Sequence, residues 1–306
     1  LKFAELFEQA GFPPGVVNVV TGFGAEVGAA LVEHPKVAKV AFTGGSSSGA
    51  RVYQSAAAGL KRCTLELGGK SPNIIFDDAD LDDAVKGAIS GIFAATGQTC
   101  IAGSRLLVQN SVYDEFVGKL VDFAASAKMG DPMLRETQVG PVTTPVQYEK
   151  VLEYIQVAKD DGANLLLGGK PAAGRPECGS SEYFVEPTIF TGVKNDMRIA
   201  QEEVFGPVLS VIPFKDDEEA IAIGNDVIYG LAAGVWTQNI GRAITMAEKL
   251  RAGTVWVNTY RAVSYLSPFG GYKKSGIGRE SGQEMIKEYL QHKSVWIETS
   301  NAEAPN

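Results

Sequence analysis

Apolar and polar residues over positions 1–68 follow a helical period in some stretches and an extended period in others. Apolar side chains spaced at i, i+3, i+4 and i+7 are typical of amphipathic helices, and short β-branched runs are typical of strands. The pattern predicts helices near 1–10, 25–33 and 49–59 and strands near 16–20, 37–42 and 63–67. Because helices separate successive strands, we expect a parallel sheet with right-handed crossovers, whose ligands bind beyond the carboxyl ends of the strands.

The same alternation continues downstream, so the fold class predicted for the whole chain is α/β. After a strand near 73–76, Asp80 is placed to cap a helix whose apolar stripe runs from Leu81 to Phe93 and which should end at Gly97. Further helices are predicted near 112–127, 145–160, 217–227 and 239–251, and further strands near 104–109, 163–167, 207–214, 231–236 and 254–258.

Two segments interrupt this alternation. Residues 168–180 are rich in Gly, Pro and Ala, which predicts a surface excursion and makes Cys178 an exposed loop thiol. Residues 293–298 have strand character, with Val295 and Ile297 on an uncovered edge, and such a strand often pairs with a partner subunit. The last residues, 299–306, have a disordered composition.

Composition restricts the possible classes of function. With 306 residues, 45% of them apolar, the chain is long enough for a sizeable core and two domains. A net charge of −8 argues against a broad nucleic-acid surface, which needs clustered cations. The sequence contains no apolar run of about 20 residues for a membrane span and no basic region followed by a cleavable apolar run. We therefore expect a cytoplasmic protein with neither nucleic acid nor membrane as a partner.

The cysteines and histidines do not form a predicted metal site. Cys63, Cys100 and Cys178 are far apart, without Cys-x-x-Cys spacing, and they fit a reducing compartment. His34 and His292 each stand without a partner cluster, which weakens every histidine-dependent mechanism.

Two glycine-rich turns follow predicted strands and open predicted helices. They are Thr-Gly-Phe-Gly-Ala-Glu-Val-Gly at 21–28 and Phe-Thr-Gly-Gly-Ser-Ser-Ser-Gly at 42–49. Unpaired amides at a helix N-terminus favour anions, and glycine lets a ligand approach the backbone, so both turns suit a phosphate or a ribose. The first has one residue too many for Gly-x-Gly-x-x-Gly, and taken alone it fits an ordinary tight turn equally well.

Cys100 and Glu66 are the residues that point most directly to chemistry. Cys100 lies in Gly-Gln-Thr-Cys-Ile-Ala-Gly-Ser-Arg at 97–105, just after a helix, and Glu66 lies in Leu-Glu-Leu-Gly-Gly-Lys-Ser-Pro at 65–72. A thiolate is a strong nucleophile, and a nearby carboxylate can activate the water that removes a covalent intermediate. The pair therefore predicts covalent catalysis in two steps.

Five collinear segments resemble the aldehyde dehydrogenase superfamily, over residues 1 to about 298. They are Phe-Thr-Gly at 42–44, the segments 65–72 and 97–105 quoted above, Gln-Glu-Glu-Val-Phe-Gly-Pro at 201–207 and Ser-Pro-Phe-Gly-Gly at 267–271. The resemblance implies NAD(P)-dependent oxidation of an aldehyde to an acid by the hydrolytic branch of the family. It implies that Cys100 forms the thiohemiacetal and thioester, and that Glu66 activates the water that releases the acid.

The resemblance also implies which residues bind the cofactor, NAD or NADP with NAD favoured. Glu203 and Phe205 match the residues that hold the nicotinamide ribose and flank the nicotinamide ring. Gly24 fits the adenine side, and the remaining residues expected against the cofactor are Gly44, Gly45, Ser46, Gly49 and Leu67. Gly45 stands where many family members carry serine, so a hydroxyl contact to the pyrophosphate is in doubt while the backbone contact is not.

The residues expected to line the aldehyde site are Thr99, Ile101, Arg261, Tyr265 and Phe269. The stretch 260–266 matches the family's aldehyde entrance, and its aromatic and apolar residues favour a hydrophobic or aromatic aldehyde. For Arg261 two readings stay open, an ordinary solvated arginine and a partner for the far carboxylate of a semialdehyde.

The resemblance divides the chain into four parts. It implies the second half of a Rossmann-like coenzyme domain at 1–68, an α/β catalytic domain at 69–272, a return to the coenzyme domain at 273–290, and an oligomerisation strand and tail at 291–306, as in a homodimer or homotetramer. Because residue 1 already lies in a helix pattern, we expect a longer parent chain.

The resemblance leaves alternatives open for the activity of residues 1–306. The family's oxyanion-hole asparagine and its adenosine-ribose lysine belong to segments that these residues lack, so we expect residues 1–306 alone to be feebly active or inactive. A CoA-acylating aldehyde dehydrogenase is the alternative enzyme, although Glu66 argues against it. A catalytically incompetent fragment with a structural role is the other alternative.

Overall fold

The computed structural model describes residues 1–172, 174–175, 178 and 181–299. Helices lie at α1 (Lys2–Gln9), α2 (Ala29–Glu33), α3 (Ser46–Ala58), α4 (Leu81–Phe93), α5 (Tyr113–Ala125), α6 (Pro145–Asp160), α7 (Arg198–Gln201), α8 (Asp217–Asn225) and α9 (Ile240–Lys249). Strands lie at β1 (Lys39–Thr43), β2 (Arg62–Glu66), β3 (Pro72–Ile75), β4 (Arg105–Gln109), β5 (Asn164–Leu167), β6 (Thr188–Thr191), β7 (Val208–Phe214), β8 (Tyr229–Gly230), β9 (Ala232–Trp236), β10 (Thr254–Val257), β11 (Tyr272–Lys273) and β12 (Gly276–Ile277).

Most of the core surrounds a sheet of seven strands, which among the described residues run in the order β10-β9-β3-β4-β7-β6-β5. Neighbouring strands are parallel except β5, which is antiparallel to β6. Successive apolar residues of β4 point to opposite faces: Leu107 joins the core that contacts α6, α8 and α9, and Leu106 joins the core that contacts α4 and α5. The sheet is therefore a middle layer between two layers of helices.

A smaller sheet carries the strands of the amino-terminal part. β1 and β2 are parallel, and β12, from the far end of the chain, pairs antiparallel with β2, with Gly276 opposite Glu66. Only a small apolar cluster around Val32, Val40 and Ala56 packs beside this sheet. The predicted α/β fold class is confirmed, and the long-range pairing of β12 brings residues near 276 to the end of β2.

Two predicted strands do not form. The stretch 16–20 has no strand structure, and its valines are exposed. Residues 293–298 have none either, and Trp296 is 94% exposed. β-branched residues form a strand only where another strand pairs with them, and within the described part of the chain neither stretch has such a neighbour. The oligomerisation role of 293–298 stays a prediction.

Other local predictions were also wrong. The α-helix that starts after Asp80 ends at Phe93 rather than at Gly97, because Ala95 and Thr96 adopt left-handed φ values of 52° and 56°. Cys178 is only 3% exposed instead of lying on the surface, because it packs with Ala172 and Phe184. The neighbouring residues 173, 176–177 and 179–180 lie outside the described residues, as do 300–306. No helix in the described ranges is long and apolar enough to cross a membrane.

Candidate active site

The predicted catalytic residues lie near the ends of strands that belong to the two different sheets. Glu66 is the last residue of β2, at the carboxyl end of the small sheet, while Cys100 lies a few residues before β4. Glu203 and Phe205 likewise precede β7, whose amino end lies beside that of β4 in the large sheet. The site therefore lies between the carboxyl ends of one set of parallel strands and the amino ends of the other.

A tightly bent backbone brings Cys100 into this position. Gly97 also has a positive φ, of 68°, and a Cβ there would overlap the carbonyl group of Gly206, so only glycine allows the two segments to approach. Cys100 then lies in a turn in which the Ala102 amide donates to the Thr99 carbonyl at 3.1 Å. The turn holds the thiol half-buried against the core formed around α4 and α5.

The environment of the Cys100 thiol favours its protonated form in the chain alone. Burial raises the pKa of Cys100, and the negative charges of Glu203 and, more weakly, Glu66 raise it further. The backbone N–H groups of Ile101 and of Cys100 itself act in the opposite direction, because they stabilise the thiolate. These two amides are the local groups that favour negative charge on the sulfur.

Glu66 has the properties expected of a general base. Its side chain is 9% exposed, and neither carboxylate oxygen has a hydrogen-bond partner among the described residues. Burial raises its pKa to about 7, the neighbouring Glu280 carboxylate also raises it, and Arg279 lowers it. A carboxyl group that titrates near neutrality with its lone pairs available can accept a proton from water.

Backbone contacts orient Glu203. The Gly69 amide donates to Glu203 Oε1 at 3.0 Å, and Lys150 Nζ donates to the Glu203 backbone carbonyl at 2.8 Å. A Cβ on Gly68 would overlap the same carboxylate, so the glycine pair after Leu67 leaves room for it. Glu203 is therefore held with one oxygen bound to the backbone and the other available.

Phe205 has a strained backbone beside this carboxylate. Its φ of 59° is in the left-handed region, which few aromatic residues adopt, and Gln147 Nε2 donates to its carbonyl at 3.1 Å. Strain of this kind is concentrated at functional sites, where the surrounding structure maintains it.

A groove of about 640 Å³ opens next to Glu203. It is bordered by the start of α3, by β2, by α6 and by the segment that runs from β11 to β12. No side chain caps the N-terminus of α3, which follows Gly45, so its first amides remain available to an anion. An anionic group and a sugar can thus be held by backbone amides at one wall and by a carboxylate at the other.

A scan against protein-family models matches residues 1–295 to the description "Aldehyde dehydrogenase family". The chain belongs to this family. An aldehyde dehydrogenase of Davidiella tassiana is 50% identical over 303 residues, which are 99% of this chain and 60% of that protein. The chain spans about 60% of the length of the curated relatives it matches.

Solved structures of the family show the same fold. The NAD⁺ complex of an aldehyde dehydrogenase from Bacillus cereus has a TM-score of 0.93 and 49% identity, covering 97% of this chain and 59% of that one. An NAD-dependent aldehyde dehydrogenase from Sinorhizobium meliloti has a TM-score of 0.95 and 43% identity, with coverage of 99% and 59%.

The cofactor residues expected from the family resemblance lie in different places. Gly45, Ser46, Leu67 and Glu203 line the groove. Gly49 lies directly behind Leu67, where a Cβ would overlap the leucine side chain, and the amide of Gly44 donates to the backbone carbonyl of Glu66 at 3.1 Å. Gly24 and Phe205 are not among the groove-lining residues.

Sequence reasoning missed several residues of the groove. Lys150, Tyr154, Tyr229 and Lys274 line it. No motif marks these residues in the sequence, because they come from helix α6, from the short strand β8 and from the turn after β11. Only their position next to Glu203 and Ser46 in the fold reveals them.

The residues that the family resemblance places on the aldehyde site show three kinds of environment. Ile101 is buried, and the Thr99 hydroxyl is buried without a hydrogen-bond partner among the described residues. Phe269 packs on the same apolar core as Cys100. Tyr265, in contrast, is 83% exposed, and its contact with substrate stays a prediction.

Arg261 has structural partners. Its Nη1 donates to the carbonyl oxygens of Ala94 at 3.0 Å and Ser90 at 3.4 Å, at the carboxyl end of α4. A guanidinium at that position satisfies carbonyl groups and interacts favourably with the helix dipole. The geometry thus favours a helix-capping role over capture of a substrate carboxylate.

Proposed function

We propose that this chain carries the nucleophile, the general base and part of the cofactor site of an enzyme that oxidises an aldehyde to a carboxylic acid with NAD or NADP. The observation that carries the proposal is the arrangement of Cys100 and Glu66 next to the groove that Glu203 borders: the half-buried thiol lies close enough to the buried Glu66 carboxylate for this charge to raise its pKa. Relatives of this chain support the cofactor class, because one is an NAD⁺ complex and another is named as NAD-dependent.

The residues present fit a nicotinamide dinucleotide. Glu203 has one carboxylate oxygen available for ribose hydroxyls, Lys150 lies beside it, and the uncapped start of α3 suits a phosphate. Phe205, on the strained turn after Glu203, is proposed to support the planar ring. When bound, the nicotinamide supplies the acceptor for the hydride that leaves the substrate carbon.

In the first step, the Cys100 thiolate attacks the aldehyde carbon. A carbon–sulfur bond forms, and the carbonyl π electrons move to the oxygen. The amides of Cys100 and Ile101, which favour negative charge on the sulfur, are available to stabilise the charge on that oxygen. Loss of the hydride then leaves a thioester on Cys100.

Glu66 acts in the second step. Its carboxylate removes a proton from water, the resulting hydroxide attacks the thioester carbon, and the carbon–sulfur bond breaks to release the acid and the Cys100 thiolate. This assigns Cys100 to carry the acyl group and Glu66 to its release. For the substrate we propose a hydrophobic or aromatic aldehyde, because Ile101 follows the nucleophile in the chain and Phe269 packs on the same apolar core as Cys100.

Single-turnover kinetics test this assignment. Cys100→Ser should abolish formation of reduced nicotinamide, whereas Glu66→Gln should retain a burst of up to one equivalent and lose further turnover. We would mix protein with a panel of aldehydes and each cofactor and record the burst and the steady state. Unimpaired steady-state turnover in Glu66→Gln would refute the role of Glu66.

The same reaction mixtures separate the alternatives. A CoA-acylating enzyme would give an acyl-CoA when CoA is added, whereas the proposed hydrolysis gives the free acid with or without CoA. A chain that forms no burst with any aldehyde would favour the structural role.

A further inference from the structure

Tyr260 is buried in the molecule, at the start of the stretch that the family resemblance assigns to the aldehyde entrance. It follows β10, is 8% exposed, and packs against Trp256 with ring centroids 4.8 Å apart. Its ring fills a socket made by three glycines, at each of which a Cβ would crowd the ring: Gly91, Gly103 and Gly234. These glycines come from α4, from the segment after the nucleophile and from β9, so three elements fix the orientation of the ring.

The hydroxyl group of Tyr260 reaches the nucleophile turn. It donates a hydrogen bond to the backbone carbonyl of Ile101 at 3.0 Å, one residue after Cys100. Burial raises the pKa of Tyr260, so the hydroxyl stays protonated, and remains a donor, throughout the range in which a thiol titrates.

The backbone around Cys100 is held on both sides. A Cβ on Gly69 would overlap the Cys100 carbonyl oxygen, so this glycine packs directly on the peptide group between Cys100 and Ile101. Tyr260 binds the carbonyl oxygen of the following peptide group, between Ile101 and Ala102. The planar peptide group between Cys100 and Ile101 also contains the Ile101 N–H, which favours the Cys100 thiolate. Fixing the adjoining carbonyl limits rotation of this N–H away from the sulfur.

We propose that Tyr260 is a positioning residue for the nucleophile, because its hydroxyl bond to Ile101 keeps the Ile101 N–H directed at the Cys100 sulfur. The proposal rests on the proposed function and adds a residue to it, since the same amide is available to the oxygen of the attacked aldehyde. Tyr260 itself touches neither reacting atom.

The pH dependence of Cys100 alkylation tests this proposal without aldehyde or cofactor. In Tyr260→Phe the ring still fills the glycine socket but the donor is lost. We expect the apparent pKa of Cys100 to rise by about one unit, so that alkylation by iodoacetamide at pH 7 slows about tenfold. Mass spectrometry of the labelled peptides separates Cys100 from the other thiols.

Trp256→Phe is the matched control. Trp256 belongs to the same aromatic pair, but its Nε1 donates to the carbonyl of Ala262 at 2.7 Å instead of to the nucleophile turn. This variant should leave the pH profile of Cys100 unchanged. An equal shift in both variants would mean that the core has loosened generally, and it would overturn the proposal.

Gly103→Ala is a second, independent variant. Its Cβ would lie 3.0 Å from both Cζ and the hydroxyl oxygen of Tyr260, so the hydroxyl must move by a few tenths of an ångström while remaining present. We expect a shift in the same direction as in Tyr260→Phe. The melting temperature of each variant shows whether it folds like the wild type. If Tyr260→Phe and Gly103→Ala fold normally and keep the wild-type pH profile of Cys100 alkylation, Tyr260 has no positioning role. The proposed function is tested separately, by Cys100→Ser and Glu66→Gln.

Discussion

At the scale of single residues, burial is the largest influence on the pKa values of the two groups proposed to react. Cys100 and Glu66 are each desolvated, and each has a raised pKa, although the proposed mechanism needs Cys100 ionised for the attack and Glu66 ionised to remove a proton from water. The carboxylate form of Glu66 grows as the pH rises through about 7, so release of the acyl group should accelerate over that range.

Glu280→Gln should move the rising limb of the pH profile for acyl release to lower pH. The change removes the negative charge that helps to raise the pKa of Glu66, while glutamine keeps an oxygen to accept the bond from the Thr64 hydroxyl. We expect a shift of about half to one unit. An activated ester that acylates Cys100 directly would report hydrolysis of the thioester against pH.

The exposed Glu284 provides the control for this experiment, because its carboxylate contacts only Lys287 among the described residues. Glu284→Gln should leave the limb in place. If the rising limb of the Glu280→Gln variant is unchanged or moves to higher pH, Glu280 does not raise the pKa of Glu66.

At the scale of elements, Arg105 joins the strands of the site to helix α8. It is fully buried in β4, and its guanidinium donates to the carbonyls of Lys70, Ile223 and Gly224 and to Asn195 Oδ1, at 2.8–3.0 Å. Two of these carbonyls belong to the last turn of α8, where a cation also complements the helix dipole.

Arg105→Met should therefore lower the free energy of unfolding by about 3–5 kcal/mol, because it leaves several buried acceptors without donors. Denaturant titration measures this change. Arg135→Met is the control, since Arg135 is exposed and its replacement should change stability by less than about 0.5 kcal/mol. A similar decrease in the free energy of unfolding for the two variants would contradict the linking role of Arg105.

At the scale of the whole molecule, apolar surface remains exposed at both ends of the described chain. Phe3, Val20 and Phe23 are exposed near one end and Trp296 near the other. Exposed apolar side chains of this size are typical of regions that pack against other protein when they form one patch. The edge-strand pattern of 293–298 makes that segment the proposed contact between subunits.

A double change, Val295→Lys with Ile297→Lys, tests this contact. We expect the mass in sedimentation experiments to fall from that of a dimer or tetramer to that of a monomer, because charges on a pairing strand oppose association. Val146→Lys, at an exposed position on α6, is the control and should leave the mass unchanged. An oligomer that persists in the double variant would place the interface elsewhere.

Most elements and the proposed reacting pair can be inferred from local patterns in the sequence. Hydrophobic period depends on neighbouring residues alone, so α4, α5 and α6 and strands such as β4 and β7 were predictable near their observed positions. Cys100 and Glu66 were identifiable because each lies in a distinctive local motif. The fold class follows from the alternation of the elements.

The pairing of these segments and the burial of their side chains depend instead on the tertiary structure. The valines at 16–20 have the composition of a strand but no neighbour to pair with, whereas β12 is a strand of two residues because it meets β2. The burial of Cys178 and Tyr260, and the place of Lys150 beside Glu203, likewise depend on residues far away in the chain. The local sequence pattern indicates whether a segment favours a helix or a strand. Strand pairing, burial and pKa depend on contacts between distant segments, which exist only in the folded chain.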